Sequence, residues 1–189
     1  GGLALWLKPW APPSSSPPQG AAFPEVAVPT RHFRVERPGE LSAADAYTIY
    51  DRIRSAMGAA YQDSGNQAAK DYQTWRRYNK TPYPSATHGR RHVNNHANET
   101  AEAYGRFEEA GTLPEGSILA KDSFEVTEQG DVLTGPLALM EKMAPGFNPE
   151  GRDWRYTMIM PDGALFGTTN GENGERVEFC GDCHVAAGD

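Results

Sequence analysis

Between residues 41 and 61, LSAADAYTIYDRIRSAMGAAY, apolar side chains recur at Ala46, Tyr50, Ile53, Met57 and Ala60/Tyr61. That spacing of three to four predicts an amphipathic helix. Ser42 stands where an N-cap belongs, and Asp45 adds an acid to the first turn, next to the positive end of the helix dipole. SGN at 64–66 interrupts the pattern. QAAKDYQTWRRYN, over 67–79, predicts a second helix with Tyr72, Trp75 and Tyr78 along one side. Pro82 and Pro84 end it, because each lacks a backbone donor and biases its predecessor toward extended geometry. Both stripes read as plain core.

The pattern then changes. RRHVNN predicts a short strand. NETAEAYGRFEEAG predicts a third helix, with Asn98 as N-cap and Gly111 just beyond its end. SILAKDSFEVT alternates: Ile118, Ala120, Phe124 and Val126 share one face, while Leu119, Lys121, Ser123 and Glu125 share the other. EQGD reads as a hairpin turn into VLTGPLALMEKM, PDG turns the strand WRYTMIM into ALFGTTN, and RVEFCGDCH closes the series. Helices come first and antiparallel strands follow. This order predicts an α+β fold: a small, mostly antiparallel sheet with helices packed on one face.

The amino-terminal 40 residues fit neither period. GGLALWLKPW is short and apolar, and the Pro-, Ser- and Ala-rich stretch after it reads as an extended linker. The segment is compatible with a signal-peptide or anchor remnant, a partner-binding arm, or a disordered tail. The expected organisation is therefore an arm over 1–40 and one domain over 41–189. No apolar run reaches the roughly 18–20 residues of a membrane span. A formal net charge of −7 argues against a nucleic-acid binder, since phosphate calls for clustered Lys and Arg. The one basic cluster, Arg90-Arg91-His92, is too short to alter that.

The chain's two cysteines, Cys180 and Cys183, stand two residues apart with His184 directly after. Cys-x-x-Cys serves a redox disulfide, half of a zinc site, or covalent haem attachment. Zinc wants about four ligands, and His88, His92 and His96 would have to complete such a site from afar. A thioredoxin-type pair opens a helix, for which little chain remains. Haem attachment needs what is present: Cys180 and Cys183 add across the vinyl groups and His184 becomes the proximal iron ligand. The expected cofactor is one covalent haem c. In bacteria that attachment occurs outside the cytoplasmic membrane, so the expected location is periplasmic, with a membrane attachment through the amino terminus if that segment is an anchor.

From Trp75 to His184 the chain resembles the cytochrome P460 family, which includes the cytochromes c′-beta. HGRRHV leads into EAYGRFEEAG; LPEGSILAKDSF resembles the family's Pro-x-Gly turn and following strand; DWRYTMIMPDG is similar to its Trp-containing strand and turn; FCGDCH matches its haem motif. SATHG, VNN and MEKM are nearest to a branch distinct from the namesake enzymes. The resemblance implies a dimeric sheet-and-helix fold, five-coordinate iron, and, in the P460 enzymes, a lysine bonded to the porphyrin edge. Lys121 matches that lysine by position. Arg90 or Arg91 lies where the family's distal arginine is expected, and Glu141 matches its glutamate. There a carboxylate takes protons from a bound amine and an arginine orients it or stabilises developing negative charge.

His88, His92, His96, Met140 and Met143 are each chemically able to occupy a sixth iron position. Three functions follow; small-molecule haem chemistry, the first two, is the expected one, and electron transfer is the alternative. One is oxidation of hydroxylamine or a related nitrogen compound, resting on Lys121, Glu141 and Arg91. Another is capture of a small ligand such as NO or CO between apolar walls such as Phe107 and Phe124. The third is electron transfer to a redox partner protein, as a haem subunit docked to a membrane complex through the amino-terminal arm. The acidic surface favours a basic redox partner.

Overall fold

The computed structural model describes residues 31–187. The segment expected to be an anchor, leader or arm therefore lies, up to residue 30, outside the described residues. Its last part departs from expectation: Arg31–Arg34 forms strand β1, paired with a later strand, and Phe33 and Val35 pack on the core. The ordered sheet thus begins before the boundary expected at residue 40.

Helix α1 spans Ala43–Gln62. The Ser42 hydroxyl accepts from the Asp45 amide, and the Asp45 carboxylate accepts from the Ser42 amide at 2.9 Å, a reciprocal capping box. Ala46, Ile49, Tyr50, Ile53, Met57 and Tyr61 form its buried stripe. Helix α2 covers only Gln67–Asp71, not the thirteen positions the pattern suggested. After it, Tyr72–Thr74 winds as a 3₁₀ turn and Arg76–Arg77 becomes strand β2. The interruption has a tertiary cause. Tyr72 is drawn into the core, and the Gln73 side chain donates to the Arg54 carbonyl of α1.

Strand β3 is Tyr83–Pro84 and β4 is His92–Ala97. The expected third α-helix is instead a 3₁₀ segment, Glu99–Glu109, broken at Ala101 and Phe107. Its ends match expectation: Asn98 accepts from the Ala101 amide, and Gly111 sits at φ +64°. Midway, Gly105 lies so near the Tyr78 ring that a Cβ would stand 2.6 Å from Cε1. Strands β5 (Ile118–Val126), β6 (Asp131–Thr134), β7 (Leu137–Lys142), β8 (Trp154–Ile159) and β9 (Leu165–Thr168) follow, then helix α3, Glu178–Ala187.

Every pairing is antiparallel. β5 is central, with β4 along one edge and β6 then β7 along the other. VLTGPLALMEKM is not one strand. Pro136 has no amide to give the ladder, and the Tyr61 hydroxyl and the Gly135 amide make other bonds at the break, to the Gly135 and Ser123 carbonyls respectively.

The sheet is covered on both faces, where helices were expected on one. On the first face, α1 packs against Ala120, Phe124, Val132, Leu137, Leu139 and Ile159. On the second, the 3₁₀ segment and the start of α3 meet Ala97, Leu113, Trp154 and Tyr156. This second cover is incomplete, and the gap is the site described next. No helix among the described residues is long and apolar enough to cross a membrane.

Candidate functional site

Cys180, Cys183 and His184 fall at i, i+3 and i+4 of α3, so they project from one side of the helix. The preceding 3₁₀ turn, Gly174–Val177, docks the helix: Val177 is buried in the second-face core and Cys180 packs beside it. The sequence pattern predicts the close of the strand series here, with little room for a helix. It is helical, so position alone does not separate it from a redox pair.

Both thiols are free, Cys183 exposed and Cys180 half-buried. Burial, and then the neighbouring Cys183, push the Cys180 thiol up to about 11. Thiols built for disulfide exchange are shifted the other way. Among the described residues no three His, Cys, Asp or Glu side chains converge.

The three side chains border a cleft of about 1210 Å³ between α3, the 3₁₀ segment and the sheet. Leu119 and Lys121 of β5, Met140 of β7, and Tyr156 and Met158 of β8 form its floor. The His184 ring lies 5.7 Å from that of Tyr156. Across from it stands His88, in the loop between β3 and β4, with the two imidazole centroids 6.4 Å apart. His88 Nδ1 is 2.9 Å from Ser85 Oγ and 3.0 Å from Thr87 Oγ1. Its Nε2 lies 3.5 Å from Lys121 Nζ. Burial, then Lys121, then His184, lower the His88 pKa to about 4, so the ring is neutral at physiological pH.

Of the expected catalytic group, Lys121, Glu141 and Arg91, only Lys121 lines the cleft. Met140 and Lys142 face it, so Glu141 between them turns to the opposite face, as strand alternation requires. There it accepts from Arg155 Nη1 at 3.1 Å. Arg91 lies away from the cleft, against Gly89 and Gly135, its Cδ 2.7 Å from where a Gly135 Cβ would stand. Arg90 is exposed in the turn at φ +57°.

Among the other candidates, His92 stacks on Phe124 at 5.0 Å on the α1 face, which removes both from the cleft floor. His96 is buried edge-on to Tyr72 at 5.2 Å on that same face and reaches only the cleft's margin. Met143 lies outside the cleft, while Met140 and Phe107 line it, Phe107 at its open mouth with 74% of its surface exposed.

Tyr156 and Met158 escaped the sequence reading, although the alternation of WRYTMIM already put Trp154, Tyr156 and Met158 on one face. What it lacked was the register, Met140 opposite Tyr156, that lays them beside the cleft. Compared with known proteins, the chain matches no family model and no curated protein sequence.

Proposed function

We propose that this chain is a monohaem c-type cytochrome, with Cys180 and Cys183 carrying the thioethers and His184 the proximal iron bond. The observation that carries the reading is that these three side chains share one side of α3 and border one large cleft. The cleft also fits the group chemically. Apart from Lys121 its floor is apolar and aromatic, it exceeds the roughly 300–1,000 Å³ of ordinary small-molecule pockets, and Lys142 and Arg152 stand in its lining, together with Glu108 and Asp153. The resemblance of the chain's motifs, in order, to those of the cytochrome P460 family supports the same reading. Bound haem would supply a one-electron redox centre. The chain's part is to hold it, exclude water with Leu119, Met140 and Met158, and present the His184 imidazole.

Electron transfer fits this geometry better than hydroxylamine oxidation. The oxidation reading needs a carboxylate at the substrate, and Glu141 is committed to Arg155 on the far face. Capture of a small ligand such as NO or CO is the second reading, favoured by the apolar floor. The acidic chain suits a basic redox partner, with periplasmic maturation.

Intact mass spectrometry tests the proposal. The expected result is the polypeptide plus one haem that acid-acetone does not extract, and its loss in a Cys180→Ala/Cys183→Ala double variant. Haem that extracts from the wild type, or bound zinc in its place, overturns it.

A further inference from the structure

We infer that His88 occupies the sixth position of the iron, opposite His184, making this a bis-histidine centre. The inference rests on the haem reading above and goes beyond it, since nothing in the Cys-x-x-Cys-His motif specifies the second axial ligand.

The separation of the two rings is the first argument. Imidazoles ligating one ion from opposite sides, with metal–nitrogen bonds of about 2.0–2.1 Å, hold their ring centroids roughly 6.3 Å apart. The His88 and His184 centroids are 6.4 Å apart. The second argument is orientation. Ser85 Oγ and Thr87 Oγ1 both lie within hydrogen-bond reach of His88 Nδ1. A proton held on Nδ1 leaves the Nε2 lone pair to the metal, the arrangement that outer hydroxyls and carbonyls impose on ligating histidines.

The loop that carries His88 is itself held. Tyr83 pairs with Val93, and the Ser85 amide donates to the Arg91 carbonyl at 2.9 Å. Gly89 and Arg90, at φ +68° and +57°, make the tight turn between them. His88 therefore reaches over the cleft from a braced hairpin, not a free tether. The remaining candidates compete poorly: His92 and His96 belong to the α1 face, Met143 lies outside the cleft, and Met140 sits in its floor. Lys121 is the rival, its amine 3.5 Å from His88 Nε2.

The consequence is a six-coordinate, low-spin iron from which an external ligand must displace His88. When a site is occupied by its own side chain in about nine molecules of ten, apparent affinity for the outside ligand falls about tenfold.

The test uses the full chain matured with haem. Electron paramagnetic resonance of the ferric wild type should show a low-spin centre, and nitrogen hyperfine measurements should count two coordinating imidazoles. His88→Ala and His88→Gln should each keep one haem by intact mass, turn high-spin, and bind CO in the ferrous state at least about tenfold more tightly. Lys121→Leu should remain low-spin. A wild type with a single coordinating imidazole overturns the inference, as does an axial signal lost in Lys121→Leu and kept in His88→Gln. Either result leaves the haem reading standing, because haem is still attached. Absence of covalent haem is the separate outcome that removes both.

Discussion

The Tyr50 hydroxyl donates a 2.7 Å hydrogen bond to the Asp122 carboxylate, joining the middle of α1 to the middle of β5. The same carboxylate accepts from Tyr72 at 3.1 Å and from Asn94 at 3.0 Å, and it is wholly buried. Three donors thus depend on one side chain. Asp122→Ala strands them in the core, each such group costing about 1–3 kcal/mol, so a loss of about 3 kcal/mol or more is expected in urea unfolding. Tyr50→Phe, which deletes one bond to a charged acceptor, should cost about 1.5–3 kcal/mol. A neutral result for Asp122→Ala would show that the network contributes little to folding.

His96 makes stability depend on acid. It is buried beside Tyr72, and desolvation lowers its pKa, with Asp122 opposing the shift and Arg77 adding to it. A histidine lowered in the folded state binds fewer protons there than in the unfolded chain. Its stabilising effect is complete above the unfolded value near 6.5 and is lost as pH falls toward the folded one. Urea midpoints at constant ionic strength should therefore drop between pH 7 and pH 5. His96→Gln should flatten that slope, and an unchanged slope in the variant would assign the effect to other histidines.

These two residues also mark where the sequence stops being readable. The α1 helix was legible to its cap, because Ser42, Asp45 and the apolar stripe act within a few residues of one another. The alternation of β5 was legible too, and with it the placement of Lys121 opposite Phe124. Asp122 was passed over because a carboxylate on an apolar face makes sense only once Tyr50, Tyr72 and Asn94, distant in sequence, meet it. Glu141 failed for a related reason. Its motif matched by position, but a single step of strand parity turned it from the cleft to Arg155. α2 was read too long because local helix preference lost to the burial of Tyr72. At Cys180, Cys183 and His184 the motif was legible and the helix that carries it was not.

Gly163 ties the β8–β9 hairpin to the end of α1. It sits at φ +83°, and a Cβ there would stand 2.6 Å from the Ala60 carbonyl oxygen. Gly163→Ala is both conformationally strained and crowded, so it should destabilise by more than about 1 kcal/mol in thermal unfolding. Gly39→Ala meets no neighbour within 4 Å and serves as the control; equal effects of the two substitutions would contradict the packing.

Lys121 Nζ lies 3.5 Å from His88 Nε2, so under the bis-histidine proposal it would stand near the iron's sixth ligand. Lys121→Leu is therefore expected to keep one attached haem and an ordinary c-type ferrous spectrum. A wild-type ferrous Soret band far to the red, returning to ordinary absorption in the variant, would instead identify a porphyrin-edge bond of the P460 kind.

The two-sided setting of β5 has a consequence for how this protein tolerates change. Ala120, Asp122 and Phe124 answer to α1, while Leu119 and Lys121, interleaved with them, answer to the cleft. A saturation scan along this single strand should report two phenotypes in turn. Asp122 and Phe124 would appear in a screen for soluble yield, Leu119 and Lys121 in a screen for whatever the cleft binds. Neighbours in the chain would thus drift under separate pressures, and the cleft side would be free to diversify at nearly constant fold.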